Sequence, residues 1–284
     1  MLNLVPLNFT KRLDRMVIDE PDSYELENSE DLGIGIFEPG KNLEGNMDWS
    51  HFSRVLIIVA AGWGMMILIE IFLIFPIFFF TGIEAIFTDP WVLIYLSVAE
   101  VGFIIPIVRY LDNRGLSLKS VGIKDIKSTR NIQWGIGVGL LMIGANLLIS
   151  YIMTIFVPEI TQGDEILFVI PEGALAGIWL LLWTIVMFII VGFCEEVIFR
   201  GFLQRRMEMF YQRRGSKNYK LVALVLTSFI FAVIHLDIFG LATRFVLGLF
   251  LGYLAQKRNY SIIGPSIAHG LNNSIVVYLA FLVV

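Results

Sequence analysis

Three short segments in the last third of the chain hold residue types suited to acid–base chemistry. The first, Cys194-Glu195-Glu196-Val197-Ile198-Phe199-Arg200-Gly201, sets two carboxylates side by side with a guanidinium four residues after the second. On a helix Glu196 and Arg200 share a face, whereas Glu195 points about 100° away from its neighbour. The spacing therefore predicts an ion pair for Glu196 and none for Glu195. An unpaired carboxylate in an apolar cleft is the residue type of a general base. The second segment, Phe231-Ala232-Val233-Ile234-His235, ends an apolar run with an imidazole. In the third, His269-Gly270-Leu271-Asn272-Asn273, His269 and Asn273 share a helix face and both can donate hydrogen bonds. Each has a plainer reading taken alone: a charged helix end, a satisfied structural histidine, a polar contact between helices.

The elements that carry these segments are set by composition. Of 284 residues, 57% are hydrophobic and 16% charged, and the mean hydropathy is +0.76. A water-soluble domain carries roughly a quarter of its residues charged. The apolar residues also fall in blocks of about 20, the length that crosses a hydrocarbon core as a helix. Seven spans are predicted, near 56–80, 91–110, 134–157, 174–199, 221–236, 239–255 and 265–284, giving an all-α polytopic transmembrane bundle with the three segments in its last four spans. Residues 1–52 hold 11 acidic and 4 basic side chains and read as an acidic, mostly disordered cytosolic tail ahead of a membrane domain over 53–284.

Basic residues test this parse, because cytoplasmic loops retain positive charge. Six lie in 109–130, seven in 200–220, and Lys257 and Arg258 in the next alternate connection, while 81–90, 158–173 and 236–240 hold none. The alternation predicts a cytosolic N-terminus and an active site open to the cytosolic side. The partners implied are the lipid bilayer and a membrane-associated protein or peptide; net charge of -4 suggests no nucleic acid. The single cysteine, Cys194, permits no internal disulfide.

A geometric argument joins the first two segments. Arg213-Arg214-Gly215-Ser216 suits the tip of a helical hairpin, and Gly215 lies 20 residues after Glu195 and 20 before His235. Equal arms bring Glu195 and His235 to one height. His269 has no such account: it follows Pro265 closely and the sixth span is short, so some helix must be tilted, broken or recessed.

EEVIFR, FAVIH and HGLNN, in that order over roughly 192–278, resemble the three motifs of the CAAX-protease and bacteriocin-processing family of intramembrane glutamic endopeptidases, EExxxR, FxxxH and HxxxN. The resemblance implies that Glu195 and His235 activate water and that His269 and Asn273 help hold the reacting carbonyl, with Glu196, Arg200 and Phe231 in support. It implies a metal-independent hydrolase without cofactor, acting on a CAAX-type prenylated or otherwise membrane-associated protein or on a secreted peptide or regulator, and a core of eight spans where the sequence shows seven.

Two other readings use the same residues. Glu195, His235 and His269 could make a three-ligand zinc site with one open position, although HExxH is absent and nothing near Phe231–Ile234 is expected to hold His235. Alternatively, Glu70, Glu100 and Glu195 could relay protons in a transporter, or the chain could be a scaffold. Glu70, Glu100 and Arg244 are expected in interhelical polar contacts, with Arg244 the basic residue available to neutralise either glutamate. His51, beside Trp49 and Phe52, reads as an interfacial anchor. Gly135, Gly137, Gly139, Gly248 and Gly252 are expected to allow close helix approach.

Overall fold

The computed structural model describes residues 47–156, 171 and 173–283, so the acidic tail lies outside it apart from residues 47–52, as does most of the 158–173 connection. The protein is all-helical: among the described residues there is no strand. Seven helices coincide with the seven predicted spans: α1 (Trp49–Thr81), α2 (Pro90–Asn113), α3 (Thr129–Phe156), α4 (Ala174–Arg213), α5 (Tyr219–Val233), α6 (Leu241–Lys257) and α7 (Ile263–Val283). Helices α1 to α4 are long and apolar enough to cross a membrane. By contrast α5 and α6, at 15 and 17 residues, reach only about 22 and 25 Å against a hydrocarbon core of about 30 Å. The sixth span, expected to be short, is so, and the fifth is shorter still.

Local chemistry sets the helix ends. The side chain of Asp48 accepts from His51 N at 2.8 Å, so α1 starts at Trp49, seven residues before the predicted span. His51 also binds Asp48 through its ring, at 2.9 Å, and so completes a helix cap. Asp89 caps α2 by accepting from Trp91 N at 2.9 Å, with Pro90 in the first turn, where a missing N–H removes no helical bond.

The main core forms where α1, α2, α4 and α5 meet, from Phe103, Ile107, Leu111, Ile198, Phe199, Phe202 and Phe231 among others. A second cluster joins α3, α6 and α7 through Met142, Leu251, Leu254 and Ala268. Glycines make the α3–α7 contact close: a Cβ on Gly139 would lie 2.9 Å from Leu271, and one on Gly135 2.7 Å from the Gly264 carbonyl. Gly137, expected to share that role, has nothing within 4 Å, because residues two apart face different ways on a helix.

At the arginine-rich end of the α4–α5 hairpin, Glu208 is fully buried. It accepts from Gln256 at 2.7 Å, from Arg205 at 3.4 Å and from the Tyr260 hydroxyl, tying α4 to the end of α6. The connection between α2 and α3 folds against this end, where burial pushes the Lys124 ammonium below its usual range; Asp125 opposes this and Arg205 adds to it.

Candidate active site

The site is built on a stretch of α4 that is not a regular α-helix. Met187–Val191 and Val197–Gln204 form π turns around the short α-helical piece Gly192–Glu196. Wider turns of this kind break the 100° step between successive residues and often occur at functional sites. Glu195 and Glu196 lie in the α-helical piece between them and diverge as expected, yet both reach one histidine because His269 sits between their two directions. His269 Nδ1 lies 3.0 Å from Glu196 Oε1 and its Nε2 lies 3.7 Å from Glu195 Oε2.

Glu196 makes the predicted ion pair, accepting from Arg200 at 2.9 Å with both side chains buried. A carboxylate that bonds an arginine and an imidazole at one oxygen is a fixed anchor for both. The other end of the guanidinium donates to the Gly248 carbonyl on α6 at 3.4 Å. One turn later Gln204 donates to the Gly252 carbonyl at 3.1 Å. Both glycines lack room for a side chain, since a Cβ on Gly248 would meet Ser228 at 2.9 Å and one on Gly252 would meet Gln204 at 2.7 Å.

His235 lies just past the end of α5, with Nε2 3.8 Å from Glu195 Oε1, as the equal hairpin arms require. Its Nδ1 is 2.7 Å from the Phe231 carbonyl. A carbonyl only accepts, so Nδ1 carries the proton and Nε2 of the neutral ring presents a lone pair to Glu195. This corrects the expectation that nothing near Phe231–Ile234 could hold His235: the holder is a backbone carbonyl in the last helical turn, which has no partner within the helix. The Phe231 ring packs against His235 and His269, with centroids at 5.0 and 5.8 Å, and under the Arg200 guanidinium at 4.4 Å. Exposure is graded across the cluster, from 6% for the Glu195 side chain to 25% for that of His235.

Six of the seven residues singled out in the sequence thus converge: Glu195, Glu196, Arg200, Phe231, His235 and His269. Asn273 engages its neighbour instead, accepting at Oδ1 from Asn272 at 3.2 Å while its carbonyl accepts from Trp183 at 3.4 Å. Asn272, which the sequence did not single out, therefore turns the Asn273 amide so that its nitrogen remains available to donate. Glu100 on α2 also escaped the reading as part of this region. It acts electrostatically on both Glu195 and Cys194, and its Oε2 is buried without a hydrogen-bond partner among the described residues. Arg244, expected to neutralise Glu70 or Glu100, pairs with Asp237 instead, because both belong to the turn into α6. Among the described residues, no three His, Cys, Asp or Glu side chains are grouped to hold a metal ion.

Residues 177–275 match the family described as type II CAAX prenyl endopeptidase Rce1-like. No curated protein and no solved structure matches the chain. The matched segment runs from α4 into α7 and contains every member of the Glu–His cluster, and over that segment, about a third of the chain, the protein is similar to this family of membrane proteases.

Proposed function

We propose that this protein is an intramembrane, metal-independent glutamic endopeptidase in which Glu195 and His235 jointly activate a water molecule. The observation that carries this reading is the pairing of two acceptors, Glu195 Oε1 and the lone pair of His235 Nε2, 3.8 Å apart. Two acceptors at that separation do not bond each other; a water that donates one proton to each satisfies both. Its oxygen lone pairs then face away from both acceptors, toward an incoming carbonyl carbon. On attack Glu195 takes a proton from the water as the C–O bond forms, and it returns that proton to the leaving nitrogen as the C–N bond breaks. No acyl-enzyme forms.

The developing oxyanion needs donors. His269 already donates through Nδ1 to Glu196, so donation from Nε2 as well requires the doubly protonated ring. Asn273, its oxygen held by Asn272, supplies the second donor once substrate is bound. Each such donor contributes roughly 3 to 4 kcal/mol in comparable sites. Arg200 and Glu196 hold His269, and Phe231 holds His235. The substrate is a membrane-associated protein or peptide, of the CAAX-type prenylated class if this chain keeps the activity for which its family is described.

Peptidomes of membranes from cells carrying the wild-type protein or Glu195→Gln test the reading. Products present with the wild type and missing with the variant, mapped to single cut sites, are expected. Identical peptidomes under several growth conditions would instead favour the scaffold.

A further inference from the structure

The Glu–His cluster has a charged neighbour with no part in the chemistry above. Arg244, in the first turn of α6, donates to Asp237 in the α5–α6 turn. Asp237 is fixed in turn by accepting from Phe239 N and Gly240 N, both at 3.0 Å. Gly240 leaves space for the pair, since a Cβ there would collide with the guanidinium and with the Asp237 carboxylate. The arrangement is therefore built, with a rigid carboxylate orienting one edge of an arginine.

Its location makes it unusual. α5 and α6 are each too short to cross the hydrocarbon, so if both start at the arginine-rich surface the turn joining them lies at hydrocarbon depth. An ion pair there costs several kcal/mol unless it lines a water-filled cavity. The side chains of Arg244 and Asp237 are 30% and 39% exposed, so the pair faces open space. Arg244 also acts electrostatically on His235, the most exposed member of the cluster. Between the two lie Leu236, 80% exposed and turned by a left-handed backbone (φ +53), and the exposed Ile238 and Phe239. The turn beside His235 thus combines exposed apolar side chains with a guanidinium that, among the described residues, is bonded on one edge only.

We infer that Arg244, oriented by Asp237, is a specificity residue that receives a carboxylate of the peptide substrate a short distance from the scissile bond, with the apolar tip Leu236–Phe239 contacting the residues between. The carboxylate is either the substrate's C-terminus or an acidic side chain, since the chemistry recognised is the same. This assignment rests on the endopeptidase reading and deepens it.

The test uses the full chain in nanodiscs with a proteome-derived peptide library, in its native form and with all carboxylates amidated. Cut sites of the wild type are expected to show a carboxylate enriched at a fixed distance from the cut, and the mapped position separates a C-terminal from a side-chain acid. Amidation is expected to reduce cutting about tenfold, the effect of losing one charge-assisted bond. The double variant Arg244→Gln/Asp237→Asn, which removes both charges and leaves none unpaired, should keep cutting at saturating peptide but lose the enrichment and raise KM. Arg244→Lys should retain part of the enrichment. Equal enrichment in the wild type and the double variant, or amidation without effect, overturns the assignment of Arg244. Undiminished cutting by Glu195→Gln, or a library left uncut by the wild type, overturns the endopeptidase reading beneath it.

Discussion

Helices α1 and α4 are both long apolar helices that meet the requirements for crossing a membrane, and they have opposite surroundings. In α1 the side chains of Leu68, Ile71, Phe72, Phe75 and Phe79 are exposed, and Pro76 sits in its interior. In α4 every residue from Cys194 to Phe210 is buried, including Glu195, Glu196, Arg200, Gln204, Arg205, Arg206 and Glu208. Apolarity alone therefore says that a helix enters the membrane and nothing about what it meets there. The helix that faces outward is oily apart from Glu70 and the polar residues of its first two turns, and the one that carries the ion pairs is enclosed by five others.

The sharpest way to break this contrast is to remove one charge from α4. Glu195→Gln should lower peptide cleavage about a thousandfold, at the scale of general-base loss, while Phe75→Leu and Phe79→Leu in α1 leave the rate unchanged; initial rates on one peptide in nanodiscs decide it. Glu196→Gln should act on stability as well. It strands Arg200 in a buried site and takes an anchor from His269, for a loss of about 3 to 5 kcal/mol, measured by equilibrium unfolding in detergent. The double variant Glu196→Gln/Arg200→Met should regain much of that stability without regaining activity, because His269 still lacks its carboxylate. A double variant as active as the wild type would remove Glu196 from the site's support.

Glycine substitutions give a smaller effect that sharpens the same contrast. Gly248→Ala presses a methyl group onto Ser228 and should cost about 1 to 3 kcal/mol, as overpacking does. Gly137→Ala, with nothing within 4 Å, should be neutral or slightly stabilising, since alanine favours a helix over glycine by about 1 kcal/mol. The smallest expected effect is from metal removal. Treatment with EDTA and phenanthroline should leave the rate of cleavage as it was, and activity that is lost and then restored by zinc would replace the glutamate mechanism with a metal one.

Much of the site could be read from covalent spacing, because helices turn sequence distance into height. The 20-residue arms around Gly215 placed Glu195 opposite His235, and the interval of four paired Glu196 with Arg200. What spacing could not show were contacts that depend on departures from the regular α-helix or on the main chain. The π turns that flank Glu195 and Glu196 leave no clear mark in residue types. The Phe231 carbonyl that holds His235 belongs to a group every residue possesses. Arg244 was matched with Glu70 and Glu100 because all three lie inside apolar runs, whereas Asp237, seven residues away, reaches it through a turn whose shape depends on Gly240.

The two bonds from Arg200 to Gly248 and from Gln204 to Gly252 are spaced one turn apart on both helices, like teeth on a rack. A slide of α6 by one residue would break both together. The next matching position is a full turn away, about 5.4 Å, where Arg244 or Gln256 would occupy a seat that fits only glycine. That leaves one permitted register. Any movement at the adjoining α5–α6 turn, where Leu236 holds a left-handed backbone, would then have to leave the α4–α6 register intact.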